Sequence, residues 1–386
     1  MNPAASTRSY YPALDGLRGI AIILVLCCHN LNFLPYFEIG WVGVDLFFVL
    51  SGFLITDILL KAKANKNFLP NFYLRRILRI FPLYYTVLLL FFILAPLFRD
   101  LQVQFNYYYD QQAMSFLHMQ NWLYIFNIKP DDTLLMGHFW SLSVEEQFYL
   151  LWPFVIFAVK NKRRLCIIAC VILAACIISR FASWIYFGNG YTNFYFQYMT
   201  RMDGLSIGSL IAIWRINGFG YAKKKIIRLS VSIFSVHLIL LILAKTILTG
   251  FPHFRLLGYT SIAVIFGIVI LFAAEKRNDY SKLVLESRVL RYVGKISYGL
   301  YVFHWPVLAL SKIYLLNILI DNGLGYNTAY ISVSILALII AAFLSVFSYH
   351  LFEKRILVLK DIITTDGFFT KLKRKLLLLL RPVSAR

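Results

Sequence analysis

The chain has 386 residues, 60% of them hydrophobic and 17% aromatic, with a mean hydropathy of +0.69. A soluble globular domain averages about 45–50% apolar residues, so this composition excludes an ordinary soluble enzyme and implies an all-α polytopic protein in a bilayer. The formal net charge of +21 would suggest nucleic acid in a soluble domain. Its distribution along the chain points to membrane topology instead, and no nucleic-acid partner is expected.

A bilayer-crossing helix takes about 20 residues, and ten segments qualify in chain order. Leu17–Leu34 carries Arg18 at its start and His29 near its end, and Gly40–Leu60 holds Asp45. Ile80–Phe98 follows a basic run that includes Arg75, Arg76 and Arg79. The longest outward loop then runs from Arg99 to His138. Within it, Met114–Phe126 is too short to span and contains His118, Gln120 and Asn121, which predicts a re-entrant or interfacial piece. Phe139–Val159 contains Glu145 and Glu146, Leu165–Phe187 contains Arg180, and Tyr198–Trp214 opens with Arg201 and Asp203. Leu229–Leu248, Leu256–Ala274, Ile296–Leu316 and Thr328–Phe352 complete the set. Residues 1–360 thus form an integral membrane domain. The tail 361–386 is basic and amphipathic, suited to the anionic inner leaflet. The five cysteines lie inside apolar runs without disulfide or zinc spacing, so they read as small core residues and no metal site is expected.

Charge tests this topology. With a cytoplasmic N-terminus, thirty-two of the 39 basic residues fall in inward-facing segments. The exceptions are Arg99, Lys129, Arg180, Arg201, Lys245, Arg255 and Lys312. Every basic cluster then lies on one side, as the positive-inside rule requires. An odd number of spans would break the alternation, so both termini are expected in the cytoplasm.

A helix rises about 1.5 Å per residue, which places His29 and Asp45 each about 7.5 Å below the outer face. Glu145, Glu146, Arg180, Arg201 and Asp203 fall in the same outer layer. Ionisable groups from five stretches that share a depth read as a reaction or transport site, with a water-filled vestibule or structural ion pairs as the alternative. A second polar set lies at the inner face: Arg18, Arg75, Arg76 and Arg79. Arg76 and Arg79, three apart, share a helix face. Guanidinium forks fit phosphate oxygens, and simple anchoring of a helix end is the alternative. Arg18 and His29 lie about 16 Å apart along one helix. A long, thin molecule such as coenzyme A spans that distance, with phosphates at the inner arginines and its reactive end at His29.

Specific stretches carry a resemblance. They are Tyr11-Pro-Ala-Leu-Asp-Gly-Leu-Arg-Gly-Ile20 with His29 after it, Gly40-Trp-Val-Gly-Val-Asp-Leu-Phe-Phe-Val-Leu-Ser-Gly-Phe-Leu-Ile55, Phe72-Tyr-Leu-Arg-Arg-Ile-Leu-Arg-Ile-Phe-Pro82 and Phe139-Trp-Ser-Leu-Ser-Val-Glu-Glu-Gln-Phe-Tyr-Leu-Leu-Trp-Pro153. Later echoes are Arg201-Met-Asp-Gly-Leu205 and Ile296-Ser-Tyr-Gly-Leu-Tyr-Val-Phe-His-Trp-Pro306. In this order they make the chain resemble the acyltransferase-3 family of integral membrane acyltransferases. The resemblance implies about ten helices. It also implies transfer of an acyl group, commonly acetyl, from cytoplasmic acyl-CoA to a hydroxyl of an extracytoplasmic carbohydrate such as a surface polysaccharide or O-antigen. Carried over by motif, His29 is the catalytic histidine, Arg18 its donor-side partner, Arg76 and Arg79 the ligands of the coenzyme A phosphates, and Asp45 and Glu145 the functional acids. Two departures stand out: Phe352-Glu-Lys-Arg355 lacks the proline many members have after Glu-Lys, and no appended hydrolase-like domain is expected. Acceptor choice would then rest on the membrane domain and the Arg99–His138 loop.

Acyl transfer to a hydroxyl needs a base near neutral pH and a stabilised oxyanion. A neutral His29 meets the first need, with Asp45 expected to orient its ring. Glu145, Arg201 and Asp203 are expected near the acceptor, and His304 either faces substrate or bonds a backbone group freed by Pro306. His118 and His138 either line the outer mouth or, the commoner case, are solvated loop histidines. The location implied is a bacterial inner membrane. The rival reading is a proton-coupled transporter or flippase, against which stand the absence of an inverted repeat and the inner arginines, which have no evident transport role. Oligomeric state is not legible in the sequence.

Overall fold

The computed structural model describes residues 10–34, 36–65, 67–125, 135–187, 198–216, 254–275 and 280–357, together with positions 232 and 235. Every element among the described residues is helical. In chain order they are α1 (Pro12–Asn30), α2 (Val42–Ala62), α3 (Phe68–Leu94), α4 (Gln102–Asp110), α5 (Gln112–Phe116), α6 (Gln120–Ile125), α7 (Trp140–Ala158), α8 (Lys162–Phe187) and α9 (Tyr198–Ile216). Then come α10 (Tyr259–Ala274), α11 (Tyr280–Leu285), α12 (Arg288–Ser311), α13 (Asn317–Asp321) and α14 (Tyr326–Ser348). Nine of the ten expected spans correspond to long helices among these; Leu229–Leu248 and the tail 361–386 lie outside the described residues. Seven stretches are long and apolar enough to cross a membrane. The chain is a multi-pass membrane protein. Helices α7 and α9 have 19 residues each and are made less apolar by Glu145 and Glu146 and by Arg201, Asp203 and Arg215. The two ends of the bundle are called inner and outer from the distribution of basic residues.

The third span differs from expectation at its start: α3 begins at Phe68, not Ile80, so Arg75, Arg76 and Arg79 are helical. Charge alone does not end a helix. Phe72 and Ile80 on the same helix are buried and hold the segment against its neighbours. Among the cysteines, only Cys176 is fully buried, and Cys170 is exposed on the apolar exterior of α8.

Two close crossings set the centre of the bundle. Bilayers supply no hydrophobic drive between helices, so small residues that let backbones touch dominate such contacts. Where α2 meets α9, a Cβ added at Gly208 would lie 2.1 Å from the carbonyl oxygen of Val49, and one at Gly52 would lie 2.0 Å from that of Leu205. Where α1 meets α12, a Cβ at Gly294 would lie 1.8 Å from the oxygen of Asp15. These crossings bring α1, α2, α9 and α12 together, and the functional side chains hang from them.

The stretch from Met114, expected as a re-entrant or interfacial piece, falls on α5, α6 and the turn between them and packs against α3. His118, between α5 and α6, stacks on Tyr84 with ring centroids 4.1 Å apart. Tyr84 lies ten residues below the outer end of α3, about 15 Å along the helix. Backbone at that depth must find protein partners, and it does. Tyr84 donates to the carbonyl of Ser115 (2.6 Å), Tyr85 to that of Phe116 (2.8 Å), and the Gln147 amide to that of His118 (3.0 Å).

The α2–α9 crossing yields a direct expectation. Gly208→Val forces apart two backbones that cannot relax separately and should cost about 3 kcal/mol. A lower thermal midpoint and loss of monodisperse protein in detergent, relative to the change Leu150→Ala at an exposed position (58% accessible), would show it.

Candidate active site

The inner half of the bundle holds a cavity lined by side chains of α1, α2, α3, α7 and α12. Its inner end is formed by Arg18 of α1 with Arg76 and Arg79 of α3, its apolar walls by Val44, Phe47, Phe48, Ile80 and Leu142, and its outer end by Ser141 of α7 and Tyr301 of α12. A second hollow shares Arg18, Arg79 and Tyr298 with it and is lined further by Asp15, Lys295, Tyr349 and Glu353 toward the inner end. Tyr298 stands between the two and donates to the carbonyl of Ile80 (2.8 Å), tying α12 to α3.

No ion pair among the described residues includes Arg18, Arg76 or Arg79. Arg76 packs over the rings of Tyr149 (5.3 Å) and Phe72 (5.7 Å), which fixes its guanidinium without neutralising it. The three charges act on one another across the same hollow. Glu145, the nearest carboxylate of the chamber wall, accepts from the hydroxyls of Ser51 (2.7 Å) and Tyr149 (2.9 Å) and forms no ion pair with the arginines. A cluster of like charges in a low-dielectric setting is costly unless an anion joins it. Guanidinium groups in this arrangement can accept an anion with several oxygens, such as a phosphate chain.

The outer half centres on two imidazoles. His29 Nδ1 lies 2.9 Å from His304 Nε2, with the rings nearly coplanar, 3° apart. His304 Nδ1 lies 2.7 Å from the carbonyl of Tyr301 and 3.1 Å from that of Leu300. Carbonyls only accept, so His304 Nδ1 carries the proton of the neutral ring and its Nε2 accepts. His29 Nδ1 must then donate, which leaves the lone pair of His29 on Nε2. Trp305 packs edge-on against His29 at 4.6 Å and holds the ring. His304 bonds its own helix backbone, but at Leu300 and Tyr301 rather than at the Val302 carbonyl freed by Pro306 as expected, and its other nitrogen meets His29. Beyond the pair, Lys312 donates to Tyr330 (2.8 Å), which donates to Asn32 (2.9 Å), linking α12, α14 and the end of α1. Among the described residues, no three His, Cys, Asp or Glu side chains are grouped to hold a metal ion.

The structure separates other expected site residues from this pair. Asp45 does not orient His29. Its Oδ1 accepts from Arg201 Nη2 at 2.7 Å, and both side chains are almost wholly buried. Asp203 pairs with Arg180 and also accepts from Thr260 (2.8 Å), while Arg180 donates to the carbonyl of Leu256 (2.9 Å). Arg201 lies over the face of Tyr259 at 4.3 Å. An ion taken out of water needs an opposite charge beside it, and these four find theirs on neighbouring helices, joining α2, α8, α9 and α10. Glu145 faces the arginine chamber rather than the outer side. His138 does not line an open mouth: it is buried, 5.1 Å from His304 and 5.3 Å from Tyr301 between ring centroids.

Ser51, Tyr149, Ser141 and Tyr301 were not singled out in the sequence, although all four lie inside or next to its motifs. Spacing could have found Tyr301, three residues before His304 and so on the same helix face, and Tyr149, four after Glu145.

Comparisons with known proteins agree with this geometry. The family model described as an acyltransferase domain, Acyl_transf_3, matches residues 11–346. The peptidoglycan O-acetyltransferase OatA of Listeria monocytogenes is 29% identical over 317 residues, covering 79% of this chain and 50% of the relative. YrhL of Bacillus subtilis, provisionally named a peptidoglycan O-acetyltransferase, is 31% identical over 364 residues, covering 90% of this chain and 55% of the relative. The chain spans about half the length of these curated relatives. No solved structure matches it significantly.

The buried ion pairs give a clear test of role. Arg201→Met strands the Asp45 carboxylate and should cost about 3–5 kcal/mol. The double change Asp45→Leu with Arg201→Met should recover most of that stability, measured by thermal unfolding in detergent, and keep the protein's activity. A folded but inactive double variant would show that the pair touches substrate.

Proposed function

This chain belongs to the acyltransferase-3 family, and on that premise we propose that it moves an acetyl group from cytoplasmic acetyl-CoA to a hydroxyl of an extracytoplasmic glycan. The observation that carries this reading is the chamber running from three unpaired arginines at the inner side to Ser141 and Tyr301, one helical turn from the His29–His304 pair. A nucleotide thioester has the matching form, with phosphates at one end and the reactive group at the other.

In this reading Arg18, Arg76 and Arg79 hold the phosphates by charge-assisted hydrogen bonds. The apolar walls at Phe47, Phe48 and Ile80 sheathe the pantetheine arm. Glu145, fixed by Ser51 and Tyr149, keeps a carboxylate beside the arginines and disfavours anions lodging deeper than the phosphates. The acceptor enters from the outer side, where His29 is only half-buried and Asn32 is exposed. His29 Nε2 takes the hydroxyl proton, and His304 holds Nδ1–H so that the base presents its lone pair to the acceptor. The names of the relatives support a cell-wall glycan as acceptor over the O-antigen of lipopolysaccharide. Asp45, Arg201 and Asp203 brace the outer half and do not touch substrate.

Purified protein in liposomes, given acetyl-CoA with a labelled acetyl group and soluble glycan fragments, tests the reading. His29→Ala should lower transfer by at least about 100-fold while coenzyme A still binds. Arg76→Ala with Arg79→Ala should raise the KM for acetyl-CoA about tenfold or more and change kcat little, because phosphate contacts are made equally in ground and transition states. Full transfer by well-folded His29→Ala protein would contradict the assignment.

A further inference from the structure

A base alone does not complete acyl transfer. The thioester carbonyl gains negative charge as the acceptor adds, and donors aimed at that oxygen supply much of the rate. The arginines cannot serve, since they line the far end of the chamber, and the hydroxyls of Ser51 and Tyr149 are committed to Glu145.

The outer end of the chamber holds two further hydroxyls. Ser141 Oγ and Tyr301 Oη lie 2.5 Å apart, and both line the cavity. Tyr301 donates to the carbonyl of His138 at 2.9 Å, and Ser141 lies 3.4 Å from that same oxygen. The pair thus holds two protons but only one acceptor that must be satisfied. One proton serves the His138 carbonyl. The other sits between the two hydroxyls and can be re-aimed by rotation about a single bond. Apolar side chains stand beside them, with Phe47 at 6.5 Å from the Tyr301 ring and Leu142 next to Ser141 on the cavity wall. Tyr301 is also the step between chamber and base: its ring is 5.5 Å from that of His304, which contacts His29.

Resting on the acyltransferase reading above, we propose that the Tyr301 and Ser141 hydroxyls form the oxyanion site, binding the carbonyl oxygen of an acyl thioester at the outer end of the chamber. As the acceptor oxygen bonds to the carbonyl carbon, its proton passes to His29 Nε2 and the carbonyl electron pair moves onto the oxygen, which accepts a hydrogen bond from the one O–H of the pair not committed to the His138 carbonyl. Collapse of that adduct restores the carbonyl and breaks the carbon–sulfur bond. The electron pair leaves with sulfur, which takes the proton from His29 to give the free thiol and the acylated glycan. Nothing is oxidised or reduced.

The test is steady-state kinetics of Tyr301→Phe, Ser141→Ala and the double variant with acetyl-CoA and glycan fragments in liposomes, with coenzyme A binding measured in parallel. Each single change should lower kcat at least tenfold and the double about 100- to 1,000-fold, the scale of a lost oxyanion donor. The KM for acetyl-CoA and the affinity for coenzyme A should stay within about twofold. A double variant with unchanged kcat, or one whose loss is entirely in KM or coenzyme A binding, overturns the oxyanion assignment. His29→Ala and the unaltered protein, assayed alongside, separate the two claims: if His29→Ala is inactive while the double hydroxyl variant is fully active, only this inference fails, and if the unaltered protein transfers no acetyl group, the acyltransferase reading fails.

Discussion

A neutral imidazole carries one proton on two nitrogens, so what one nitrogen binds dictates what the other can offer. His304 spends its Nδ1 proton on the carbonyls of Leu300 and Tyr301 in its own helix. It can therefore only accept at Nε2, and His29 can only donate to it. The lone pair of His29 is left on Nε2, and the helix backbone, through two side chains, sets the chemistry of the ring. A carboxylate in the place of His304 would orient the ring as well, but it would bring a buried negative charge in need of its own partner. A neutral pair does the same work in a bilayer without that charge.

Arginine serves two opposite ends in this bundle, and partners tell them apart. Arg180 and Arg201 are sealed from solvent and matched to Asp203 and Asp45, which ties α2, α8 and α9 together in the outer half. Arg18, Arg76 and Arg79 face a hollow and carry no ion pair among the described residues. The matched pairs cannot be broken cheaply, which suits a scaffold. The unmatched cluster favours an arriving anion and gives the chamber a direction, charged at the cytoplasmic end and hydroxyl-lined at the histidine end.

The sequence revealed the axial order of these groups and little of their angular placement. Helical rise put His29, Asp45, Arg201 and Asp203 at one depth; Arg201 does meet Asp45, but Gly40 packs on Leu24 and Gly43 on Ala21, which sets Asp45 well inward of His29. Rise also does not say which face of the bundle each occupies: His29 belongs to the α1–α12 contact and Asp45 to the α2–α9 contact. Glu145 shows the same limit: its depth suggested the outer site, whereas its hydrogen bonds to Ser51 and Tyr149 turn it into the arginine chamber. The basic clusters and the non-spanning stretch from Met114 were legible because charge sidedness and span length act along the chain. The α3 start was not, because apolar residues between arginines keep a helix intact past the point where hydropathy falls. The hydroxyl pair of Ser141 and Tyr301 was hidden for a different reason. Hydroxyls are common in membrane helices, and only the meeting of α7 with α12 makes these two converge.

The central claim is that one group crosses the bilayer inside this chain, from a thioester on the basic side to an alcohol on the other. Oriented proteoliposomes measure it directly, with acetyl-CoA carrying a labelled acetyl group confined to the side bearing the basic segments and glycan fragments confined to the opposite side. Labelled glycan should appear in the opposite compartment while coenzyme A remains where it was supplied. Transfer that requires both reactants on the same side would contradict the account.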